Sequence, residues 1–335
     1  MEAQEDLQLN LNEESLLEMY GLIVLSRRLD ERTWVLHRQG KIAFHISGIG
    51  HEAAQVGAAM ALRRGQDWVV PYYRDLAMML ALGLTPKEFM LGVMGKKGEP
   101  SSGARQMPSH WSIRRMNVVS HSSPVATQTP HASGIGLAIK MRGDDAIVLT
   151  SIGEGATSQG AWYEAVNWAA IHKLPVVFMV ENNLYAISVR QDRQMAVEHV
   201  ADKAAGLGLP GVTVDGLDAL AVHRAISEAA ARARAGDGPT LVEAMVQRMT
   251  PHSSDDDDRS YRPRAELEAL KAQDPVRLQR DKLMDMGLLS EQAETEVQER
   301  AAAQVEEAIK FAASAPYPEV SEASYPVYAG DRADG

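Results

Sequence analysis

Apolar residues near the start of the chain recur at helical spacing. Leu16, Leu17, Met19, Leu22, Ile23 and Leu29 form one stripe behind Asn12, a residue type that caps helices, and Gly40 stands where a C′ glycine ends one. The pattern predicts a single long amphipathic helix from Asn12 to Gly40. A second start signal is Thr85-Pro86-Lys87-Glu88: a threonine N-cap, proline at the first helical position and glutamate three residues on make a capping box, which opens a helix through Phe89, Met90 and Met94. In the middle of the chain the period changes. Val- and Ile-rich runs at Ala146–Ile152, Pro175–Val180, Gly211–Val214 and Thr240–Val246 read as strands, and helical patterns near Ser158–His172 and over the alanine-rich Ala219–Ala235 read as crossovers between them. Strands alternating with helices predict an α/β fold: a doubly wound parallel sheet flanked by helices, with an N-terminal helix and a C-terminal helical extension. Ligands of such sheets bind beyond the carboxyl ends of the strands.

After Val246 the run MTPHSSDDDDRSYRPR is polar apart from Met249 and Tyr261 and reads as a long mobile loop. Charged helices follow to about Ala315. The final PYPEVSEASYPVYAGDRADG lacks periodicity and reads as an irregular tail that drapes over a neighbouring molecule. Three regions result: an acidic segment and helix over 1–40, an α/β domain over 41–290, and a C-terminal helix with its tail over 291–335.

Composition narrows the chemistry. The 335 residues are 45% hydrophobic and 24% charged, and no apolar run approaches the roughly 18 residues of a membrane span. Cysteine is absent, which excludes a thiol nucleophile, a disulfide scaffold and Cys-ligated metal. The formal net charge is −11, and the acidic first fifteen residues and last twenty hold most of it. The body of the chain is therefore near neutral and has no basic stripe with which to neutralise phosphates, so nucleic acid is not an expected partner. An acidic start is the opposite of a leader peptide, and the expected location is the cytoplasm.

The densest chemistry is Gly153-Glu154-Gly155-Ala156-Thr157-Ser158, a glycine turn between a strand and a helix. Backbone N–H groups at such a turn cradle a pyrophosphate. Read as a dinucleotide fingerprint the turn is incomplete, because its third glycine is Ser158 and Glu154 lies inside the cradle. A carboxylate there repels a bare pyrophosphate unless a divalent cation stands between them. The next strand ends in Glu181-Asn182-Asn183-Leu184-Tyr185, whose amide and carbonyl oxygens complete the octahedral oxygen set that Mg²⁺ demands. The turn alone is equally compatible with no ligand. Other motifs fail on inspection: His51-Glu52-Ala53-Ala54-Gln55 lacks the second histidine of a zinc site, and Ser158 lies too far beyond its strand for a nucleophile elbow.

Taken together with QGKIAFHISGIGHEAAQVG, YYRD, GARQMPSHW, SSPVATQ, IGEGATSQG, ENNLYAIS and HSSDDDDRSYR, in that order, the chain resembles the alpha subunits of two-subunit, thiamine-diphosphate-dependent 2-oxo acid dehydrogenases over about residues 20 to 290. Gly103-Ala104-Arg105-Gln106-Met107-Pro108 and His252-Ser253-Ser254-Asp255-Asp256-Asp257 are similar to the pattern of the branched-chain members. The resemblance implies a thiamine-diphosphate-binding fold and oxidative decarboxylation of 3-methyl-2-oxobutanoate and its relatives. It also implies acyl transfer to the lipoyl group of a dihydrolipoyl acyltransferase. Pyruvate or acetoin dehydrogenase alpha subunits are the alternative within the family; an NAD-linked oxidoreductase, a serine hydrolase or a non-catalytic assembly subunit are the alternatives outside it.

Carried over residue by residue, the resemblance implies Mg²⁺ on Glu154, Asn183 and the Tyr185 carbonyl. It implies Tyr73, Arg74 and the Gly153, Gly155 and Ala156 turn on the diphosphate, and Ser123 and Val125 against the aminopyrimidine. A structural potassium ion is implied at Ser122, Pro124, Thr127 and Gln128, and His252 at the diphosphate and reactive carbon. His110, just after the RQMP run, reads either as lining the substrate pocket or as core filling stacked on Trp111 or Met107. Glu181 departs from the pattern, standing where some branched-chain relatives have a diphosphate-binding arginine, which leaves more of that charge to Arg74. The glutamate that activates the cofactor is implied to come from a beta subunit in an α₂β₂ heterotetramer. A small-residue helix at Ala132, Gly134, Gly136 and Ala138 suits either that interface or the internal core.

Overall fold

The computed structural model describes residues 11–324 and Tyr328. The described residues open with α1 (Glu13–Arg38), whose N-cap Asn12 accepts from the Ser15 N–H and which buries Leu16, Met19, Tyr20, Ile23 and Leu29. Next come α2 (Glu52–Met60), β1 (Trp68–Val70), α3 (Leu76–Leu82) and α4 (Pro86–Val93). The capping box at Thr85 and Glu88 is formed in both directions. The central run is α5 (Gln128–Arg142), β2 (Val148–Gly153), α6 (Gly160–Ile171), β3 (Val176–Asn182), the short hairpin β4 (Tyr185–Ala186) and β5 (Val189–Arg190), and α7 (Lys203–Gly206). It continues through β6 (Gly211–Asp215), α8 (Ala219–Arg234) and β7 (Thr240–Met245), and the chain closes with α9 (Arg264–Lys271), α10 (Pro275–Asp285) and α11 (Glu291–Ser314).

Five strands form one parallel sheet in the order β1-β2-β3-β7-β6. The register sets Gly153 beside Glu181, and Glu181 beside Ala244, at the carboxyl ends of three neighbouring strands. Alternation along each strand then builds two cores. Leu149, Val177, Met179, Val242 and Ala244 face α1, α2, α8 and α11; Val148, Ile152, Val176, Phe178, Val180 and Leu241 face α5, α6 and α7. Helices thus cover both faces, which is why β2, β3 and β7 are buried along almost their whole length and read as largely apolar runs. The fold class expected from the sequence is the one observed. The three-residue edge strand β1 and the hairpin escaped the sequence reading: the first is too short for a period, and the second is entered through Leu184 and turns at Ile187, non-glycine residues with φ of 67° and 55°.

Two expectations change. The run after Val246 is folded on itself. Asp256 accepts from the His252 N–H (2.8 Å) and the Tyr261 hydroxyl (2.5 Å), Arg262 bonds the Arg248 carbonyl, and Asp258–Ser260 make a turn of 3₁₀ helix. The described part of the tail lies on its own chain: Lys96 Nζ and Lys97 N–H donate to the carbonyls of Ala315 and Pro316, both at 3.0 Å, and Lys97 pairs with Glu322. The rest of the tail falls outside the described residues, apart from Tyr328. No helix of the described residues is long and apolar enough to cross a membrane.

The small-residue helix serves the core on one side. A Cβ on Gly136 would lie 2.7 Å from Val176 Cγ2, whereas one on Gly134 meets nothing within 4 Å. Gly134→Ala should therefore raise stability by about 0.5–1 kcal/mol through helix propensity, and Gly136→Ala should lower it by about 1 kcal/mol through crowding. Urea midpoints of the two variants check this. Equal shifts would contradict the packing described.

Candidate functional site

The site is assembled from turns that follow the carboxyl ends of β1, β2, β3 and β7, where the sheet aims its loops. After β1, Tyr73 and Arg74 reach the cleft. Arg74 is buried and held on two sides: one guanidinium nitrogen donates to the Ser47 carbonyl (2.6 Å), and the other donates to the His252 carbonyl (3.0 Å) and to His252 Nδ1 (2.9 Å). Because Nδ1 accepts there, His252 is neutral. Burial and the neighbouring Arg74 and Arg248 push its pKa down to about 3. The Tyr73 ring meets the imidazole edge-on at 6.2 Å.

After β2 the chain tightens into one turn of 3₁₀ helix over Glu154–Ser158. Gly155 is required at this point, since a Cβ would stand 2.7 Å from that of Ala186. Glu154 is buried; one carboxylate oxygen accepts from the Asn183 N–H (3.3 Å) and the other, Oε1, has no partner. Burial raises its pKa. After β3, Asn183 Oδ1 accepts from the Tyr185 N–H (3.2 Å), which fixes an Asx turn beside Glu154. The cleft enclosed by these turns has a volume of about 190 Å³. Of the residues picked out in the sequence, Tyr73, Arg74, Ser122, Val125, Gln128, the Gly153–Ala156 turn, Asn183, Tyr185 and His252 line it together.

The remaining ones lie beside it. Ser123 Oγ bonds His110 Nε2 (2.7 Å), and His110 borders a smaller neighbouring cavity. Ser122 Oγ, Thr127 Oγ1 and the Pro124 carbonyl converge within 2.5–3.2 Å of one another, and Gln128 has a buried carbonyl oxygen without a partner. Among the described residues no three His, Cys, Asp or Glu side chains gather as a metal cage. Any cation here must be held by mixed oxygen donors.

Residues 20–321 match the dehydrogenase E1 component family. The chain is 49% identical over 321 residues to the 2-oxoisovalerate dehydrogenase subunit alpha of Bacillus subtilis, covering 96% of this chain and 97% of that one. The chain belongs to the dehydrogenase E1 component family. It is 41% identical to the 3-methyl-2-oxobutanoate dehydrogenase subunit alpha of Mycobacterium tuberculosis (87% of this chain, 77% of that one) and 40% identical to the pyruvate dehydrogenase E1 component subunit alpha of Staphylococcus aureus (92% and 81%). The resemblance drawn from the motifs stands, and this E1 chain is an oxidoreductase of the 2-oxo acid dehydrogenase alpha type.

In this E1 chain Glu181 is absent from the cleft wall. It lies buried behind Arg74, accepting from His51 Nδ1 (2.7 Å) and Gln55 Nε2 (2.9 Å), and the same Gln55 amide donates to the Arg74 carbonyl (3.0 Å). Burial pushes Glu181 up to about 7 and raises Asp75 beside it, while the same burial pushes His51 down to about 3. Acids and bases move in opposite directions for one reason: the interior behind the cleft favours uncharged forms. The incomplete zinc motif thereby finds its place, with His51 and Gln55 bracing Glu181 and Glu52 bonding Arg27 (2.6 Å) and the Gly50 N–H (2.7 Å). The sequence reading missed His121, which lines the cleft, and Arg248, whose buried guanidinium lies against the Tyr185 and Tyr261 rings and donates to the Tyr261 hydroxyl (2.9 Å). Neither belongs to a motif that would single it out.

Proposed function

We propose that the cleft holds thiamine diphosphate with Mg²⁺, and that the chain is the alpha subunit of a branched-chain 2-oxo acid dehydrogenase working in the cytoplasm. The observation that carries the reading is Glu154: a buried carboxylate with one unpartnered oxygen, set against the Asn183 turn and opened by a glycine that nothing larger could replace. A cation is the partner such an oxygen lacks. The donors for Mg²⁺ are Glu154, Asn183 Oδ1 and the Tyr185 carbonyl, a hard-oxygen set suited to that ion. Arg74, Tyr73 and the Gly153–Ala156 backbone bind the diphosphate, with His252 beside them. Ser123 and Val125 flank the aminopyrimidine. The hydroxyl and carbonyl cluster of Ser122, Pro124 and Thr127, with the orphaned Gln128 oxygen, suits potassium.

Thiamine diphosphate supplies the nucleophilic carbon and the electron sink that decarboxylation of a 2-oxo acid needs. The chain contributes charge neutralisation through Arg74 and the cation, and orientation through the two turns. Neutral His252, whose Nδ1 accepts from Arg74, carries its proton on Nε2 and offers it as a hydrogen-bond donor to the reacting group. His110 borders the substrate end. Among the described residues that line the cleft Glu154 is the one carboxylate, and it is committed to the cation. The glutamate that must meet the aminopyrimidine therefore comes from a beta subunit, in an α₂β₂ assembly. Exposed Val125, Leu184, Ile187 and Val189 at and beside the cleft mouth offer that subunit an apolar surface. The acyl group leaves on the lipoyl arm of a dihydrolipoyl acyltransferase.

With its beta subunit and a lipoyl acceptor, the enzyme should show a kcat/KM for 3-methyl-2-oxobutanoate about tenfold or more above that for pyruvate, the range a hydrophobic pocket gains from added methyl groups. Steady-state rates on both acids decide it. Equal rates, or a preference for pyruvate, would move the chain to the pyruvate type that it also resembles.

A further inference from the structure

His121 is a polar side chain of the cleft that the proposed chemistry leaves unused. It is 4% exposed and lines the cleft, and neither of its ring nitrogens has a hydrogen-bond partner. Burying an imidazole without a partner is unfavourable, and an aliphatic residue of similar size would avoid that cost. Its ring is nonetheless fixed. It stacks on His110 with centroids 4.8 Å apart and planes inclined by 21°. His110 has both edges occupied: its Nδ1 lies 3.3 Å from the Pro108 carbonyl, which can only accept, so Nε2 is the acceptor for the Ser123 hydroxyl at 2.7 Å. One imidazole is thus pinned on both sides, and the second is laid flat against it with its nitrogens free.

We infer that His121 is a substrate-recognition residue whose ring N–H donates to the carboxylate of the incoming 2-oxo acid, with His110 as the positioning residue behind it; this rests on the thiamine-diphosphate reading of the cleft. The chemistry favours this ligand over the cofactor's phosphates. Those have Arg74, a cation and a glycine turn of their own, whereas a monoanionic carboxylate needs one directional donor. The carboxylate also loses its charge when CO₂ leaves. A lysine or arginine would hold the charged ground state more tightly than the transition state, while a neutral donor orients it with less ground-state stabilisation. Ala186, on the same cleft, suits the branched alkyl end.

The test uses the assembled enzyme with its beta subunit. His121→Phe keeps a flat ring on His110 and removes both nitrogens; His121→Asn restores a donor. In wild type, thiamine diphosphate with Mg²⁺ is titrated calorimetrically, and KM is measured for 3-methyl-2-oxobutanoate. Inhibition is measured with 3-methylbutanoate, an unreactive carboxylate, and with neutral 3-methyl-2-butanone. For His121→Phe the expected result is cofactor affinity within about threefold of wild type, KM and the carboxylate inhibition constant both raised about 10–100-fold, and unchanged inhibition by the ketone. His121→Asn should recover part of the loss. Unchanged KM and carboxylate inhibition in His121→Phe would reduce the stacked pair to packing and overturn the inference. So would a loss of cofactor affinity equal to the rise in KM, because His121 would then belong to the cofactor. A wild-type assembly that binds no thiamine diphosphate overturns the reading of the cleft itself, a result distinct from both.

Discussion

Replacing Glu154 with glutamine is expected to weaken Mg²⁺-dependent binding of thiamine diphosphate by three orders of magnitude or more while leaving the chain folded. The two halves of that result come from one feature. In wild type the carboxylate is buried, its pKa is raised by that burial, and one oxygen is unpartnered, so ionised Glu154 is a burden on the fold until a cation arrives. An amide of the same shape keeps the acceptor for the Asn183 N–H and discards the charge, so stability without ligand should stay within about 1 kcal/mol of wild type or rise. Metal affinity has no such substitute, since a neutral amide oxygen cannot balance a divalent ion facing a diphosphate. Thermal melts with and without Mg²⁺ and cofactor check both halves. A variant that unfolds, or one that still gains stability from the pair, would show that Glu154 serves the fold instead.

Gly50→Ala should have the largest effect on stability. Gly50 has φ +98°, a region alanine rarely adopts, and an added Cβ would lie 2.0 Å from the Gln247 carbonyl oxygen. That clash is with backbone, so no side chain can rotate away. The turn also accepts N–H groups from the segment that follows β7: Gln247 to the Gly50 carbonyl and Met249 to that of Ile49, both at 3.3 Å. Forcing the segments apart should cost about 2–4 kcal/mol and separate Ser47 from His252, the two groups that grip Arg74. Gly65→Ala is the control: its φ is +75° but nothing lies within 4 Å of the added carbon, so only about 1 kcal/mol should be lost. Equal denaturation midpoints for the two variants would contradict the contact.

Much of this fold is legible in the amino-acid sequence, and particular residues show why. Strands β2, β3 and β7 are buried on both faces and announce themselves as apolar runs, and Glu154 stood out because a carboxylate in a phosphate cradle is chemically awkward without a cation. What escaped depends on partners that sequence does not record. His121 is one histidine among ten until its neighbours prove to leave it alone, and Arg248 at the end of a strand looks like any surface arginine. Glu181 read as a missing phosphate ligand; only the fold turns it inward to brace Gln55 and, through it, Arg74. The acidic run after His252 reads by composition as a mobile loop because its internal donors, the Tyr261 hydroxyl and a backbone N–H, are invisible as a pattern.

Among the described residues that line the cleft Glu154 is the one carboxylate, and on the proposed reading this bears on how the enzyme comes into being. If that acid is spoken for by the metal, a chain made in excess of its companion lacks the second acid that ignites the vitamin. On that reading reactivity begins at the moment of assembly, and unequal synthesis of the two polypeptides leaves idle halves instead of stray decarboxylation.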